Sequence, residues 1–270
     1  MMPRFAANLG YLFTDRPFLA RFAAAAAAGF PAVELQYPYD QDPAAMRAEI
    51  VRHRLTMLGV NTPPPPDAPS GLAGVPGREA EFATLLDRAL ALANAIGARA
   101  IHCLAGTVPE ARRAEAEDVF VANLRHAADR AAAHGLTVLI EPLNSRDRPG
   151  YLLVRAEQAA AIIGRVERAN VRMQFDVYHA QIMGGDLIRR LERHHDLIGH
   201  VQIAAVPSRA EPDDGEVNYR AILAALDRLG YAGHVGCEYV PRGRTEDGLA
   251  WGAAWGLGSG AAARGAQPIL

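Results

Sequence analysis

The chain contains no lysine, since all 28 of its basic residues are arginine. That absence excludes a Schiff-base aldolase, a pyridoxal-phosphate enzyme and a P-loop NTPase, each of which needs a lysine side chain. Cysteine is nearly as scarce. Cys103 and Cys237 are the only two, and both fall inside predicted strands. Buried free thiols in a reducing cytoplasm are the simplest account, although the sequence leaves a bridge between them open. Charge of one sign is missing as well: the formal net charge is −2 and the arginines are scattered. This gives no reason to expect a nucleic-acid or membrane partner. The longest N-terminal apolar stretch, Phe22–Phe30, follows Asp15, Arg16 and Arg21. It reads as an alanine-rich helix, neither signal peptide nor membrane span, and the expected location is cytoplasmic.

What the chain does have is size and alternation. Its 270 residues, half of them hydrophobic, suit one α/β barrel, which needs roughly 250 residues. Strand-like and helix-like segments alternate throughout. The expected strands are Arg4–Asn8, Ala32–Gln36, Thr56–Val60, Arg99–Leu104, the run from Thr137, Val171–Phe175, His200–Ala204 and His234–Glu238. Between them lie helical segments over Pro17–Ala28, Pro43–Arg54, Arg78–Ile96, Pro109–His134, Ala156–Val166, Asp186–His195 and Asn218–Leu229, with a last helix from about Glu246 to Trp255. Asp15 is a candidate cap for the first helix. Eight strand–helix units with right-handed crossovers predict a (β/α)8 TIM barrel over residues 1–255, followed by a Gly/Ala-rich loose tail over 256–270. The loop Asn61–Gly77, with a run of four prolines, is a plausible lid.

The stretch Thr137–Asn144 is the centre of the chain's chemistry. Val138, Leu139 and Ile140 are all apolar, as in a strand covered on both faces, and Pro142 places Glu141 where that strand ends. The C-terminal ends of parallel strands are where α/β barrels put their catalytic groups. Asp176, Gln202 and Glu238 end later strands in the same way, so the four are expected at one rim. Three carboxylates converging with no Arg or Lys between them would repel strongly. A divalent cation is the usual remedy, and an all-oxygen set suits Mg²⁺ or Mn²⁺ better than Zn²⁺. His179, three residues past Asp176, is placed to bind a substrate oxygen, to act as an outlying ligand, or to be a satisfied structural histidine. Arg209 is a candidate anchor for an acidic substrate; the plainer alternative is an ion pair with Glu211 or Asp213. His53, His126, His134, His194 and His195 are expected on helix surfaces. His102 and His200 are expected to pack within strands, and His234 falls at the opposite rim.

Several motifs together resemble the hydroxypyruvate isomerase family of xylose-isomerase-like barrels. They are Phe5-Ala-Ala-Asn8, Ala32-Val-Glu34, Leu139-Ile-Glu-Pro-Leu-Asn144, Phe175-Asp-Val-Tyr-His179 with Gln181-Ile-Met183, His200-Val-Gln-Ile203, Gly215-Glu-Val-Asn-Tyr219 and Gly236-Cys-Glu-Tyr239. The resemblance covers about Met2 to Trp251. It implies that Glu141, Asp176, Gln202 and Glu238 bind a divalent metal and that the two glutamates also move the proton. The implied reaction interconverts a 2-oxo-3-hydroxy acid and its aldehyde isomer: hydroxypyruvate to 2-hydroxy-3-oxopropanoate, or a 2-oxo-tetronate as in close relatives. The implied partner is a small 2-oxo acid or sugar acid, and homo-oligomers are compatible with the class. Two departures stand out. Val240 precedes Pro241 where the resemblance implies a basic residue in many relatives, so contacts to the substrate carboxylate are expected to differ. The Gly/Ala tail also stands where a longer closing helix is expected. The first alternative function is a keto-sugar 3-epimerase of the same barrel type, disfavoured because Gln202 stands where those enzymes usually have His. A multi-metal phosphodiesterase would need more histidines at strand exits, and a non-catalytic sugar-acid sensor would not need two bases.

Overall fold

The computed structural model describes residues 3–258. Nine parallel strands run β1 (Arg4–Asn8), β2 (Ala32–Glu34), β3 (Thr56–Met57), β4 (Gly59–Asn61), β5 (Ala100–His102), β6 (Thr137–Ile140), β7 (Val171–Asp176), β8 (Ile198–Ile203) and β9 (His234–Cys237). Their order in the sheet is β3-β2-β1-β9-β8-β7-β6-β5-β4. The two ends of that order are one stave broken at Leu58. Its first half pairs with β2 and its second with β5, while Leu58 N–H donates to Val33 O and Leu58 O accepts from Arg99 N–H. The barrel therefore closes as eight staves, and its closure does not depend on a helix after residue 255.

The helices between the staves are α1 (Ala20–Ala27), α2 (Pro43–Arg52), α3 (Glu79–Ile96), α4 (Arg113–Ala132), α5 (Ala156–Val166), α6 (Val177–Met183), α7 (Leu187–His194) and α8 (Tyr219–Arg228). Local chemistry sets several boundaries. Asp42 accepts from Ala44 N at 2.9 Å with Pro43 in the first turn of α2. Gly97, at φ 72°, ends α3 in the left-handed conformation that glycine adopts cheaply. Asp15 does not cap α1, which starts later at Ala20; its carboxylate pairs with Arg16 instead. The last expected helix, Thr245–Trp255, is wound as 3-10 turns. Its Trp251 and Trp255 pack edge-on against Phe5, with ring centroids 5.1 and 5.7 Å away. Beyond it, Leu257 is buried and Gly258 N–H donates to Ala28 O; the tail expected over 256–270 lies outside the described residues from 259 onward.

Alternation along each strand decides where the apolar core lies. Phe5, Val33, Ile101, Val138, Ile140, Phe175, Val201, Ile203 and Val235 belong to the main buried cluster and face the helix layer. The opposite faces carry Ala6, Asn8, Ala32, Glu34, Ala100, His102, Gln174, Asp176, His200, Gln202 and Gly236. The core is thus a shell between staves and helices, and the barrel lumen carries mostly polar and small side chains with a few leucines, Leu139 of β6 among them. A cavity of about 650 Å³ occupies it.

The expected lid is a fixed wall along much of its length. Ala73 and Gly74 donate to Leu104 O and Ala105 O, Asn123 Nδ2 donates to Ala73 O at 2.8 Å, and Leu72 and Ala73 are buried. Pro69 and Ser70 of this loop line the cavity.

Candidate active site

Each of the four expected metal ligands sits at a C-terminal strand end, while His179 lies in α6 and Arg209 in the loop after β8. Glu141 and Glu238 immediately follow β6 and β9, Asp176 ends β7, and Gln202 is the penultimate residue of β8, in register with Asp176 and Gly236. Glu141, Gln202, Glu238, His179 and Arg209 all line the cavity. Asp176 is absent from that wall and stands beside His179, its Oδ2 3.6 Å from His179 Nε2. Ligand atoms of Glu141, Asp176 and His179 lie within 4.8 Å of one another, so the corner is a candidate metal site.

Both Glu141 Oε1 and Asp176 Oδ2 are buried without a hydrogen-bond partner. A buried carboxylate oxygen with no donor is costly, and a cation is the group that best relieves it. Asp176 reaches this state because its other oxygen, Oδ1, caps α6 by accepting from Tyr178 N at 2.8 Å. Burial, then repulsion from Glu238 and Asp176, holds the Glu141 carboxyl well above the usual carboxylate range. Burial, resisted by Arg209 and aided by Asp176 and Glu34, pushes Glu238 up to about 8.

The arrangement of His179 settles its chemistry. Its Nδ1 accepts from the backbone N–H of Asn144 at 3.1 Å and from Asn144 Nδ2 at 2.7 Å. A backbone N–H can only donate, so in the neutral ring the proton sits on Nε2, the nitrogen that faces Asp176. Burial lowers the imidazole to about 4, against the pull of Asp176, so the neutral form dominates. His179 therefore presents an N–H donor to the site in this tautomer; its ring groups with Glu141 and Asp176, and Glu238 is not among the ligand atoms that cluster there.

The sequence reading put no Arg or Lys among the carboxylates, and here the structure corrects it. Arg209, at φ 57° in the left-handed region, turns back over the mouth and donates from Nη2 to Glu238 Oε2 at 3.0 Å. It also approaches Asp147 at 3.9 Å and lies over the Tyr11 and Tyr178 rings at 5.3 and 5.0 Å. Its expected alternative partners, Glu211 and Asp213, are both taken by Arg242. Arg209 Nε is buried with no partner, a donor left for a ligand.

Beneath these groups runs a network that the strand-end pattern did not single out. Gly10 N–H donates to Asn8 Oδ1 at 3.0 Å, which turns Asn8 Nδ2 toward both Glu34 Oε1 (3.0 Å) and Glu238 Oε1 (3.2 Å). Glu238 Oε1 also accepts from Gln36 Nε2 at 2.8 Å. Glu34 takes His200 Nε2 at 2.6 Å and Gln202 Nε2 at 2.7 Å. Because the Glu34 carboxylate can only accept, it fixes the Gln202 amide with its oxygen turned away from Glu34. That oxygen accepts from Gln174 Nε2 at 2.7 Å, and the same Nε2 donates to Glu141 Oε2 at 2.9 Å. Burial alone would raise Glu34, but His200, Gln202 and Asn8 outweigh it and hold the carboxyl below its ordinary range. His200 thus packs in the lumen as expected and also pairs with a buried glutamate. His102, 3.6 Å from Glu141 Oε2, is lowered to about 3, chiefly by burial. Among the helix histidines, His194 departs from expectation and is buried.

Asn8 could have been found by the rule that found Glu141, since it ends an expected strand, whereas Glu34 lies inside the expected strand Ala32–Gln36, which the structure ends two residues earlier. Gln174 lies inside β7 and carried no such signal.

A family model described as the xylose isomerase-like TIM barrel matches residues 22–255. The chain belongs to that family. It is 49% identical over 253 residues to a 2-oxo-tetronate isomerase of Cupriavidus necator, covering 93% of this chain and 97% of that one. It is 40% identical over 253 residues to a hydroxypyruvate isomerase of Escherichia coli strain K12, covering 93% and 98%. A crystal structure described as an AP endonuclease, family 2, from Brucella melitensis superposes with a TM-score of 0.92 at 48% identity, covering 94% and 99%. Likeness of this extent to the two named isomerases makes the chain an isomerase of the aldose–ketose type, acting on a small molecule. Among the described residues no helix is long and apolar enough to cross a membrane.

Proposed function

We propose that this isomerase moves the carbonyl of a 2-oxo-3-hydroxy acid from C2 to C3 through an enediolate, turning hydroxypyruvate into its aldehyde isomer or a 2-oxo-tetronate into the 3-oxo acid. The observation that carries the proposal is a pair of buried glutamates on one cavity, both with raised pKa values, beside two carboxylate oxygens that have no donor. Glu141, Asp176, Gln202 through Oε1, and Glu238 are the residues that would hold a divalent cation, and an all-oxygen set favours Mg²⁺ or Mn²⁺. Bound there, the cation would supply positive charge where the enediolate oxygens become negative.

The chain's own groups do the rest. In hydroxypyruvate a C3 proton leaves and a proton is delivered to C2, while the O3 hydroxyl proton is lost and O2 gains one. Glu141 and Glu238 share the carbon-to-carbon transfer; a carboxyl poised near neutrality can both take and return a proton. His179 Nε2–H and Arg209 Nε–H are the donors that hold the substrate oxygens, and Asn144 keeps the imidazole in the donating tautomer. Arg209 also fixes Glu238 in place.

The test is to incubate the metal-loaded protein with hydroxypyruvate and with a 2-oxo-tetronate and follow by NMR the aldehyde formed from the first and the 3-oxo acid formed from the second. Product signals are expected from at least one acid and from neither glutamate-to-glutamine variant. Deuterium wash-in without a change of connectivity would point to an epimerase instead. Near-wild-type turnover in both variants would remove the proton-transfer assignment.

A further inference from the structure

A carboxylate substrate entering this cavity meets Glu34, Glu141 and Glu238 on its wall, a field that repels anions unless a cation offsets it. Four arginines line the cavity: Arg99, Arg148, Arg172 and Arg209. Arg99 precedes β5 and Arg172 lies near the start of β7, at the end opposite the site. Arg209 is held by Glu238 through Nη2 and lies over two aromatic rings, which leaves its single Nε–H for a substrate oxygen and no paired fork for a carboxylate. Arg148 remains. Among the described residues its guanidinium makes no ion pair or hydrogen bond, and it is exposed at the mouth. Its charge is felt by His179, Tyr37 and Tyr151.

The turn that carries Arg148 is fixed. Asn144 O accepts from Arg148 N at 3.0 Å, and Asn144 Oδ1 accepts from Asp147 N at 2.8 Å. Asn144 Nδ2 donates to Asp147 Oδ2 at 3.0 Å and to His179 Nδ1 at 2.7 Å. One asparagine therefore positions both the His179 donor and the backbone of Arg148. After β9, Val240 is exposed and offers no charge.

Resting on the function proposed above, we propose that Arg148 is the carboxylate anchor that makes this site prefer 2-oxo acids to neutral keto-sugars. Its planar fork suits a bidentate grip on a carboxylate. The experiment compares wild type, Arg148→Ala and Arg148→Lys on hydroxypyruvate and on dihydroxyacetone, its neutral counterpart. The exposed position makes loss of fold a minor concern. Arg148→Ala is expected to raise KM for hydroxypyruvate about ten- to a hundredfold, as for loss of a charged hydrogen bond, with kcat within about threefold. Dihydroxyacetone turnover stays unchanged, and Arg148→Lys recovers part of the loss. An unchanged KM for the acid, or an equal loss on dihydroxyacetone, overturns the anchor. Calorimetry with tartronate, an acid that cannot isomerise in this way, separates the two proposals. Weaker tartronate binding in Arg148→Ala beside a wild type inactive on 2-oxo acids keeps the anchor and discards the reaction. Unchanged tartronate binding removes the anchor whatever the turnover.

Discussion

Glu34 and Glu141 are both buried carboxylates at strand ends of one barrel mouth, and their surroundings are opposite. On the β1–β2–β8 side, Glu34 receives Asn8, Gln202 and His200, so both of its oxygens are satisfied. On the β6–β7 side, Glu141 receives only Gln174 on Oε2, and its Oε1 and the neighbouring Asp176 Oδ2 accept no hydrogen bond, with His179 Nε2 3.6 Å from the latter. The first carboxyl is held below its ordinary pKa and the second well above it. A carboxylate whose charge is fully answered by protein donors serves as framework. One left with a bare oxygen is stable only with a group the chain does not itself provide.

The contrast predicts different losses when each carboxylate is removed. Glu141→Gln or Glu238→Gln should cut kcat by about a thousandfold, within the range for general acid–base groups. In the cation-free protein the unfolding free energy of Glu141→Gln should hold or rise, because a repulsive buried carboxyl has gone. That of Glu238→Gln should fall, because Arg209 loses its partner. Assays alongside urea unfolding check both halves; a large drop in the stability of Glu141→Gln would show that Glu141 is framework after all. Glu34→Ala should do the reverse in kind, costing about 3–5 kcal/mol of stability by leaving the His200 pair broken in the lumen. Urea unfolding that moves by less than about 1 kcal/mol would mean the network is decorative.

The pH dependence of the cation-free protein separates the two sides further. The folded pKa of Glu34 lies below its ordinary 4.5. Its contribution is therefore present above pH 4.5 and lost as pH falls through the folded value. The folded pKa of Glu238 is about 8 against an ordinary 4.5. The native state keeps a proton that the unfolded chain gives up, so this contribution is present below 4.5 and lost as pH rises toward 8. Unfolding measured with chelator across this span should show stability declining between about pH 5 and 8. The double variant Glu141→Gln, Glu238→Gln should flatten that limb, and Glu34→Gln should alter only the acid limb. A decline that survives the double variant would assign it elsewhere.

The smallest effect comes from a residue with no polar group. A Cβ on Gly236 would lie 2.6 and 2.7 Å from the Glu34 oxygens and 2.9 Å from Gln202 Cγ. Gly236→Ala should cost about 1–3 kcal/mol as an overpacking change. It should also weaken divalent-cation affinity, read by calorimetry, by displacing Gln202. Wild-type affinity in this variant would show that Gln202 is not held through Glu34.

Much of this was legible along the chain. Apolar runs that end in a carboxylate or amide mark strand exits, and parallel staves must bring those exits to one rim. That logic reaches Glu141, Asp176, Gln202 and Glu238, and the local motifs reach His179. It fails where a partner comes from a distant loop. Arg209 meets Glu238 only because its left-handed backbone folds the β8 exit over the mouth, and Glu211 and Asp213 look closer in sequence. The helix α6 escaped notice because a residue expected to serve the site, Asp176, is also its cap.

Strand and helix placement, the rim that carries the chemistry and the kinds of donor gathered there followed from residue order, because periodicity and chain crossover are local or nearly local properties. Which oxygen is satisfied and which is bare, where the His179 proton resides, and which arginine is left unpaired were decided by the closed barrel. Those depend on donors set side by side from staves more than a hundred residues apart, such as Glu34 and His200, and no stretch of sequence contains that neighbourhood.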